Sequence, residues 1–354
     1  MKRLFPVRHP DFYRAIPKVE LHRHLEGSLR LTTLLEIGRS HGLDVAGTAR
    51  LRSLVQVGSS EPYTFENFLS KFETLRLFYR SPEVISRVAQ EAISDAALDN
   101  VRYMELRFTP MALSKAQGFS LAAVMDWVCE GARLAEQATG VKIRLIASVN
   151  RHESLEIAEQ VVLLAIERQH KGIVGVDLAG NEAHFSGLPF AGLFTDARQS
   201  GMHITVHAGE WAGAQNVADA ILQLGAERIG HGVRVLEDPY VMGIAREHST
   251  VFEVCITSNY QSGVVQALEE HPLNRMLAAG LKVTLNTDDP CVSQITLGNE
   301  YKIACEFLGL SMDALQERIL ISARAAFLPP DERDALIREI MVQWQTWENG
   351  GGTD

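Results

Sequence analysis

The stretch KIRLIASVNRHESLEIAEQVVLLAIERQHKGIVGVDLAG (residues 142–180) contains the pattern that decides the fold. It begins and ends with short runs of β-branched and other apolar residues, at 142–150 and 173–180, which are typical of buried strands. The segment between them, 154–171, has apolar residues at three- and four-residue spacing and predicts an amphipathic helix. A strand, a helix and a second strand in this order predict parallel strands joined by a right-handed crossover.

The same alternation of strand-like and helix-like segments extends along the chain. Eight runs are predicted to be strands: 18–22, 101–110, 142–150, 173–180, 203–210, 228–233, 251–259 and 282–290. A further clear helix is predicted over 216–227. Eight strand–helix units predict an α/β protein with a closed (β/α)8 barrel of the TIM type. A doubly wound sheet is the alternative, but no G-x-G-x-x-G sequence follows any of the predicted strands.

The connection between the first two strands, residues 29–100, is too long for a single helix. It predicts extra helices inserted after the first strand, at the mouth of the barrel. The segment 63–79 within it is amphipathic and rich in aromatic residues, so it forms either a lid over a substrate or a contact between the inserted helices. With no internal repeat and no linker, we expect one domain over residues 1–345 and a disordered tail over 346–354.

Composition excludes several classes of protein. The 354 residues are 46% hydrophobic and carry a net charge of −10 with a pI of about 5.7, so neither a basic nucleic-acid-binding surface nor a nucleic-acid partner is expected. The four cysteines form no C-x-x-C pair and are expected to be reduced thiols of a cytoplasmic protein. The first residues lack the apolar core of a signal peptide, and no run reaches the length of a membrane span. No pattern in the chain predicts an oligomeric state.

Polar residues accumulate where the predicted strands end. They are His22 and His24, Asp177 and Gly180, His207 and Glu210, His231, and Asp288 and Asp289. In a parallel barrel the carboxyl ends of all strands open onto one face, which is where barrel active sites lie. His22 and His24 are two residues apart, so on a strand both point to the same face, into the barrel.

Each of these features has a simpler explanation when it is taken alone. An H-x-H sequence is usually structural, His207 could be a hydrogen-bonded core histidine, and two aspartates before a proline usually make a turn or a helix cap. Their repeated position at one end of successive strands instead predicts a divalent metal site with nitrogen and oxygen ligands. Zinc suits that ligand set best, and iron, cobalt and manganese are alternatives.

Other polar residues are given structural roles. We expect five histidines to lie at the surface or in loops: His152, His184, His203, His248 and His271. Glu105 and Arg107 could form a buried ion pair under the site, and Glu20 is expected to belong to a buried charge pair beneath the metal. Arg23, between the two histidines of the first strand, receives no role.

Seven short motifs together resemble one known family. They are ELHRHLEGS (20–28), YMELRFTP (103–110), DLAGNE (177–182), VHAGE (206–210), IGHGVR (229–234), CITSN (255–259) and LNTDDP (285–290). In this order and spacing, from about residue 15 to residue 330, the sequence resembles the adenosine deaminase family of metal-dependent amidohydrolases. Each motif alone is weak, and the conjunction is specific.

The resemblance implies a role for each matching residue. It implies one zinc-like divalent metal per chain, held by His22, His24, His207 and Asp288. It implies that Glu210 protonates the purine ring nitrogen next to the reacting carbon, and that His231 holds the attacking water and helps to deprotonate it. The remaining implied contacts are Asp289 with purine N7, the backbone N–H of Gly180 with N3, and an apolar wall of Phe68, Leu69 and Phe72.

The activity implied by the resemblance is hydrolytic deamination of adenosine or deoxyadenosine, with a small-molecule purine as the only partner. Glu26 departs from the pattern, because family members that act on adenosine commonly have Asp there to reach the ribose. Free adenine and modified adenine nucleosides such as aminodeoxyfutalosine are therefore alternative substrates, although the motifs at 255–259 and 285–290 favour the nucleoside branch. Glu26 could also be a carboxylate that only stabilises a helix N-terminus.

Two other classes of protein remain as alternatives. A two-metal amidohydrolase, such as a lactonase or phosphoesterase, usually carries a carboxylated lysine at the end of a mid-barrel strand, and none is found here. A non-catalytic purine-binding protein is disfavoured by the presence of both Glu210 and His231. The cytidine deaminase design needs H-x-E with P-C-x-x-C, and this sequence has neither.

Overall fold

The computed structural model of the protein describes residues 10–45 and 47–350. Eight parallel strands form one sheet in which every strand pairs with the next along the chain. They are β1 (Lys18–His24), β2 (Val101–Phe108), β3 (Lys142–Asn150), β4 (Ile173–Ala179), β5 (His203–Ala208), β6 (Arg228–His231), β7 (Val251–Val254) and β8 (Lys282–Leu285). All eight predicted strands are confirmed. Strand β1 continues to His24, two residues beyond its predicted end, whereas β2 and β4 to β8 end one to five residues earlier than expected. The largest differences are in β7 and β8, because the chain leaves the sheet directly after Val254 and Leu285.

The barrel closes between its last and first strands. The backbone N–H of His24 donates to the carbonyl of Asp288 at 2.8 Å, and the N–H of Asp288 donates to the carbonyl of His22 at 2.9 Å. Below this bridge the side-chain oxygen of Asn286 accepts from the N–H of Leu21 at 3.0 Å. The predicted (β/α)8 barrel is therefore confirmed, and a doubly wound open sheet is excluded.

Helices surround the sheet and fill the insertion. They are α1 (Pro10–Ala15), α2 (Leu31–Ser40), α3 (Thr48–Val55), α4 (Phe65–Leu75), α5 (Pro82–Leu98), α6 (Pro110–Ser114), α7 (Leu121–Thr139), α8 (Leu155–Glu167), α9 (Ala191–Gln199), α10 (Ala214–Leu222), α11 (Pro239–Glu247), α12 (Ile256–Gln261), α13 (Leu273–Ala278), α14 (Pro290–Ser293), α15 (Leu297–Lys302), α16 (Met312–Ala325) and α17 (Pro330–Asn349). Short 3-10 helices lie at Arg76–Phe78, Gln169–Lys171, Leu188–Phe190, Val233–Glu237 and Leu268–Glu270, and a π-helix lies at Ile303–Phe307.

The predicted insertion after the first strand consists of α2, α3, α4 and α5. The Thr64 hydroxyl accepts from the N–H of Asn67 and begins α4, as Ser81 does for α5 by accepting from Val84. The apolar face of α4 turns toward the barrel mouth, where Phe68 is buried. Segment 63–79 fits both interpretations: Phe68 lines the mouth of the barrel, and Lys71 of α4 donates to the carbonyl of Ser53 in α3 at 2.9 Å.

The end of the chain differs from our expectation. Helix α17 continues to Asn349, so residues 346–349 are helical and do not form the disordered tail that we expected from 346 onward. The helix is anchored by Trp344, which is 1% exposed, and by Trp347, whose ring lies 5.0 Å from that of Phe12. Residues 351–354 lie outside the described part of the chain.

The interior of the barrel contains charged groups, and they pair differently from our expectation. Glu105 and Arg107 are both fully buried, but they do not pair with each other. Arg107 donates to Glu253 at 2.8 Å, and Glu105 pairs with Arg228 and accepts from the Tyr103 hydroxyl at 2.8 Å. Each buried charge thereby has an opposite charge beside it, which a low-dielectric interior requires.

We expected Glu20 to lie in a buried charge pair beneath the metal. Glu20 and its neighbour Arg23 lie elsewhere. The pairing of β1 with β2 shifts register between these two residues, and both line a cavity between the barrel and the helical layer. Glu20 accepts from the backbone N–H and the hydroxyl of Thr287, and Arg23 donates to the Ser28 hydroxyl. Burial raises the pKa of Glu20 to about 7.

The structure also bears on the state of the cysteines and on membrane-spanning helices. None of the four cysteines forms a disulfide within the described part of the chain, and three of them are buried. Among residues 10–45 and 47–350, no helix has both the length and the apolar character needed to cross a membrane.

Candidate active site

The carboxyl ends of the strands surround a pocket of about 610 Å³, part of which is open to solvent. All of the residues that the sequence assigned to a site, except His22, line it directly, and His22 lies immediately beneath. The lining residues are His24, Glu26, Phe68, Leu69, Phe72, Arg76, Thr109, Asn150, Ala179, Gly180, His207, Glu210, Trp211, His231, Asp288 and Asp289.

Three imidazoles and a carboxylate converge at the floor of the pocket. His24 Nε2 lies 3.3 Å from His22 Nε2 and 3.2 Å from His207 Nε2. Asp288 Oδ1 lies 3.3 Å from the Nε2 atoms of His22 and His24. Four ligands at zinc–nitrogen bond lengths of about 2.0–2.1 Å would be separated by roughly 3.3–3.4 Å in a tetrahedron. The spacing of these donor atoms therefore fits a metal ion between them.

The orientation of the imidazole rings also indicates that a cation binds between them. His22 Nδ1 lies 2.8 Å from Glu253 Oε2, and His207 Nδ1 lies 3.0 Å from Asp177 Oδ1. A hydrogen bond from Nδ1–H to each carboxylate leaves the Nε2 lone pair of His22 facing Asp288 Oδ1 at 3.3 Å and that of His207 facing His24 Nε2 at 3.2 Å. Electron pairs gathered in this way repel one another unless a positive ion lies among them.

Positively charged side chains deeper in the barrel keep Glu253 and Asp177, the two carboxylates that contact the metal-site histidines, ionised. Burial alone would raise the pKa of Glu253, but the guanidinium groups of Arg107 and Arg228 keep it well below the usual value. In the same way His207 and Arg107 lower the pKa of Asp177 against the effect of burial. Arg107 thus supports both carboxylates that orient the metal-site histidines.

The Glu253→Gln variant tests this support. The neutral amide can no longer attract the Nδ1 proton of His22 as a full anion does, so His22 should be oriented less strictly. We expect the affinity for Zn²⁺ to fall about 10- to 100-fold, as is typical when such a supporting group is lost. The measurement is a competition titration of zinc against a chelator of known affinity.

The matched control is Glu227→Gln, which breaks a carboxylate–imidazole pair with His203 at the opposite end of the barrel. This control should leave zinc affinity within about 2-fold of the parent protein, because the pair is far from the metal. Equal zinc affinities for Glu253→Gln and the parent would show that Glu253 does not orient the ligand.

A chain of hydrogen bonds determines which nitrogen of His231 carries the proton. The backbone N–H of Leu273 donates to His271 Nδ1 at 3.2 Å, so the proton of neutral His271 is on Nε2 and is donated to Asn259 Oδ1 at 3.2 Å. The amide nitrogen of Asn259 then donates to His231 Nδ1 at 3.0 Å. Neutral His231 accordingly carries its proton on Nε2, which lies 3.8 Å from Asp288 Oδ2.

This arrangement bears on two expectations. His271 lies in the loop before α13, as expected, but it is buried, and burial lowers its pKa to about 3, so it stays neutral. Burial likewise holds the pKa of His231 well below its usual value. A neutral His231 with its proton on Nε2 is suited to hold an oxygen by donation, which supports the implied holding role more directly than the implied deprotonation.

Two of the site residues have a strained backbone. His231 and Asp288 have φ values of +58° and +64°, in the left-handed region that side chains other than glycine rarely adopt. Such a conformation costs on the order of 1–3 kcal/mol and persists only where the surroundings enforce it. Here it turns both side chains from the strand ends into the pocket.

Two further carboxyl groups, Glu210 and Asp289, are buried in the pocket wall. Burial raises the pKa of Glu210 well above its usual value, and the charges of Asp288 and Glu182 add to this effect. Asp289 Oδ1 is buried and has no hydrogen-bond partner among the described residues. It lies so close to Gly27 that a Cβ atom there would be 1.9 Å away. Both groups are suited to contact a ligand.

Glu26 lies on the same wall and contacts the barrel. Its Oε1 accepts from the backbone N–H of Thr109 at 2.6 Å, rather than from the first turn of α2. Its Oε2 is buried without a hydrogen-bond partner in the described part of the chain. Burial raises the pKa of Glu26, and the nearby guanidinium of Arg76 partly offsets this.

The residues that orient or anchor the site residues were not predicted from the sequence. Glu253, Asn259 and Glu182 received no role, although Glu253 interrupts the apolar run of β7 and a buried charge in such a run needs a partner. The same signal was available for Arg228 in β6. No sequence signal pointed to Arg76 as a pocket residue.

Helix α12 carries two polar side chains that contact site residues, Ser258 and Asn259, and Glu300 anchors this helix. Ser258 Oγ donates to Asp288 Oδ2 at 2.6 Å, while Glu300 accepts from the N–H of Ile256 at 2.7 Å and from the N–H and hydroxyl of Thr257. Burial raises the pKa of Glu300 from 4.5 to about 7.

Replacing Glu300 by Gln should therefore change the pH dependence of stability. The folded protein holds the Glu300 proton up to about pH 7, so this contribution is fully present below pH 4.5 and is lost as the pH rises through 7. Gln imitates the protonated acid. Between about pH 5 and about pH 8 the free energy of unfolding of Glu300→Gln should fall less than that of the parent, by up to about 3 kcal/mol.

The measurement is urea unfolding of zinc-loaded protein at several pH values. The exposed Glu317→Gln variant serves as the control and should follow the parent curve. Parallel curves for the parent and Glu300→Gln would exclude Glu300 as the source.

Among residues 10–45 and 47–350, His22, His207, His231 and Asp288 form a buried group that could hold a metal ion, and His24 lies beside it. Such a group at the carboxyl ends of the strands of a (β/α)8 barrel defines a metal-dependent hydrolase of the amidohydrolase class. The family model described as adenosine deaminase matches residues 17–343. The chain belongs to the adenosine deaminase family and is a metal-dependent aminohydrolase with a single Zn²⁺ site.

Individual relatives agree with this assignment. The chain is 38% identical over 328 residues to an adenosine deaminase of Klebsiella pneumoniae, covering 92% of this chain and 98% of that one. Among solved structures, an adenine deaminase from Arthrobacter aurescens has a TM-score of 0.86 at 26% identity, covering 93% and 99% of the two chains. A zinc-bound amidohydrolase from Burkholderia ambifaria, at 24% identity, shares the fold with a TM-score of 0.90, covering 100% and 98%.

Proposed function

We propose that this protein replaces the 6-amino group of adenosine-type nucleosides by oxygen, releasing ammonia and forming inosine or deoxyinosine. The single observation that carries the proposal is the placement of Glu210 and Asp289 beside the metal-ligand cluster. A zinc site alone serves many hydrolases, whereas two buried carboxyl groups beside it match a heteroaromatic ring with two nitrogen acceptors.

The proposed metal ligands are His22, His24, His207 and Asp288. His24 is preferred to His231 because its Nε2 is within 3.3 Å of the donor atoms of the other three, while His231 Nε2 is 3.8 Å from Asp288. A metal held by these residues would lower the pKa of a water molecule from 15.7 to about 7 and would so supply a nucleophile at neutral pH. His231 would hold an oxygen beside the ligand cluster through its Nε2 proton.

The protein's acids activate the ring. An aromatic carbon that carries an amino group is a poor electrophile until the adjacent ring nitrogen is protonated. Glu210 is suited to supply this proton because burial raises the pKa of its carboxyl group well above the usual value and so favours the protonated form. In the proposed complex Asp289 shares a proton with N7 and the backbone N–H of Gly180 donates to N3, and both residues line the same pocket as Glu210.

The wall from α4 completes the site. Phe68, Leu69 and Phe72 line the pocket from the inserted helices, opposite the metal-ligand cluster on the barrel. Their apolar surface suits the flat faces of a purine and excludes bulk water. Exclusion of water in turn keeps the proton on Glu210 and strengthens every electrostatic contact with the ring.

The side of the pocket near Glu26 supports a nucleoside rather than a free base. The unpartnered Oε2 of Glu26 and the guanidinium of Arg76 are polar groups beyond the ring contacts, where a sugar with hydroxyl groups would satisfy them. The adenine deaminase relative keeps free adenine as the alternative substrate. A modified adenine nucleoside is the second alternative.

A substrate panel tests the proposal. Zinc-loaded protein is incubated with adenosine, deoxyadenosine, adenine and aminodeoxyfutalosine, and ammonia release is followed with a coupled assay. We expect the highest kcat/KM with adenosine or deoxyadenosine. A preference for adenine or the modified nucleoside would correct the substrate, and absence of ammonia from every 6-aminopurine would refute the reaction.

We also propose that the enzyme acts in the cytoplasm. The support is that the four cysteines form no disulfide in the described part of the chain, which is typical of a protein in a reducing compartment. Fractionation of the source cells, followed by immunodetection of the protein, tests this assignment.

A further inference from the structure

Glu182, the acidic residue that ends the DLAGNE motif, binds the loop that carries Glu210. Its side chain is 5% exposed. The donors to its carboxylate are four consecutive backbone N–H groups and one side chain: Gly209 at 3.0 Å and Asn216 Nδ2 at 3.1 Å to Oε2, and Glu210 at 2.5 Å, Trp211 at 2.6 Å and Ala212 at 3.0 Å to Oε1. Five donors on one carboxylate form a complete anchor.

The backbone of the loop is shaped to enclose this carboxylate. Gly209 directly follows β5 and has a φ of +67°, which turns the next N–H groups toward a common point. Only glycine fits there, because a Cβ atom would lie 2.5 Å from Val217 Cγ2. Successive N–H groups arranged in this way form an anion-binding concavity, and the anion here is the protein's own carboxylate.

The carboxylate is itself held in position. The side-chain oxygen of Asn181 accepts from the N–H groups of Ala183 and His184, at 3.0 and 3.2 Å, and fixes the turn on which Glu182 lies. Arg151, buried nearby, donates to the carbonyl of His207 at 2.5 Å, and its charge interacts favourably with that of Glu182. Both ends of the contact are therefore rigid.

We propose that Glu182 is a positioning residue for deamination: it holds the 209–212 loop so that the carboxyl group of Glu210 reaches the purine ring nitrogen. This inference rests on the proposed function for its catalytic consequence. The charge of Glu182 has a second effect in the same direction, because after burial and Asp288 it contributes to the raised pKa of Glu210. Loss of Glu182 should thus impair Glu210 without touching the metal.

A double-mutant cycle tests whether Glu182 acts through Glu210. In Glu182→Gln an amide nitrogen replaces the oxygen that accepts from the N–H of Gly209 and the side chain of Asn216. Donors then face donors, so these two hydrogen bonds are lost. We expect kcat to fall about 10- to 100-fold, with KM within about 3-fold and zinc content near one per chain. In a Glu210→Gln background the same change should cost less than about 3-fold, because the group that it positions has already been lost.

Additive losses in the cycle would overturn the proposal, as would loss of zinc or an effect confined to KM. The matched control is Glu136→Gln, in which another carboxylate that accepts a backbone N–H, that of Ile143, is altered near the amino end of β3. It should leave kcat within about 2-fold of the parent.

Amide hydrogen exchange supplies a readout that does not depend on activity. The N–H groups of 209–212 should exchange slowly in the parent and at least about 10-fold faster in Glu182→Gln, while the peptides of β1 remain protected. Unchanged exchange in this loop would overturn the proposed anchor even if activity fell. Failure of the parent to deaminate any purine would refute the function, while faster loop exchange in the variant would still establish the anchor.

If Glu182→Gln fails to fold, the Asn216→Ala variant tests the anchor instead. It removes one of the five donors and leaves the charge and the four backbone contacts. We expect a 2- to 5-fold lower kcat, an unchanged KM, and measurably faster exchange of the N–H of Gly209. A parent-like kcat and exchange rate in this variant would then refute the anchor.

Discussion

Replacing Glu210 by Gln should lower kcat about 1,000-fold while leaving zinc content at one per chain. Gln has the size of Glu and can still contact the purine, but it cannot deliver a proton to the ring nitrogen, and loss of a general acid typically costs 100- to 10,000-fold. KM for adenosine should change by less than about 5-fold, because binding relies on the other ring contacts. Steady-state kinetics and metal analysis of purified variants make the measurement.

The control for this substitution is Glu237→Gln, which changes an exposed carboxylate paired with Arg234. It should retain parent kinetics and so exclude a general effect of removing a negative charge. A Glu210→Gln enzyme with more than about a tenth of the parent kcat would assign the proton to another group, with Asp289 the next candidate.

The adjacent aspartates Asp288 and Asp289 should respond differently to the same change. Asp288 Oδ1 lies within 3.3 Å of two metal-site nitrogens, so Asp288→Asn removes an anionic ligand and should lower zinc content well below one per chain, together with activity. Asp289 Oδ1 has no partner in the described structure and faces the pocket, so Asp289→Asn should keep zinc but reduce kcat/KM about 100-fold.

Each aspartate variant serves as the control for the other, since the chemical change is identical and the positions are neighbours in the chain. Zinc content is measured after extensive dialysis, and kinetics are repeated with added zinc. Recovery of activity by excess zinc in Asp288→Asn alone would support the assignment. Loss of zinc in Asp289→Asn, with retention in Asp288→Asn, would reverse the two roles.

The site combines groups that are held in opposite protonation states within a few residues of one another. Asp288 is kept ionised by the surrounding histidines although burial alone would raise its pKa, while burial keeps the proton on Glu210. An anion is needed to bind the metal, and a neutral acid is needed to protonate the ring. The expected difference between Asp288→Asn and Glu210→Gln in zinc content reflects these two requirements.

The sequence by itself determined the barrel, because a βα unit repeated eight times leaves few ways to bury the apolar strands. It also determined the candidate ligand set, since every strand of a parallel barrel delivers its last residues to the same face. His22 and His24 could be placed on one face of β1 from their spacing alone. The insertion before β2 was predictable from its length.

Only the tertiary structure decided which buried groups support one another. The contacts of Glu253 with His22, and of Glu182 with the loop at Glu210, join residues 231 and 28 positions apart. Local periodicity carries no information about such pairs, because a side chain's partner across the barrel depends on strand register and loop conformation. For the same reason the tautomer of His231 could not be predicted from the sequence. The backbone N–H of Leu273 sets it through the side chains of His271 and Asn259. Chemistry at the strand ends is thus readable from sequence, whereas its orientation depends on contacts between distant parts of the chain.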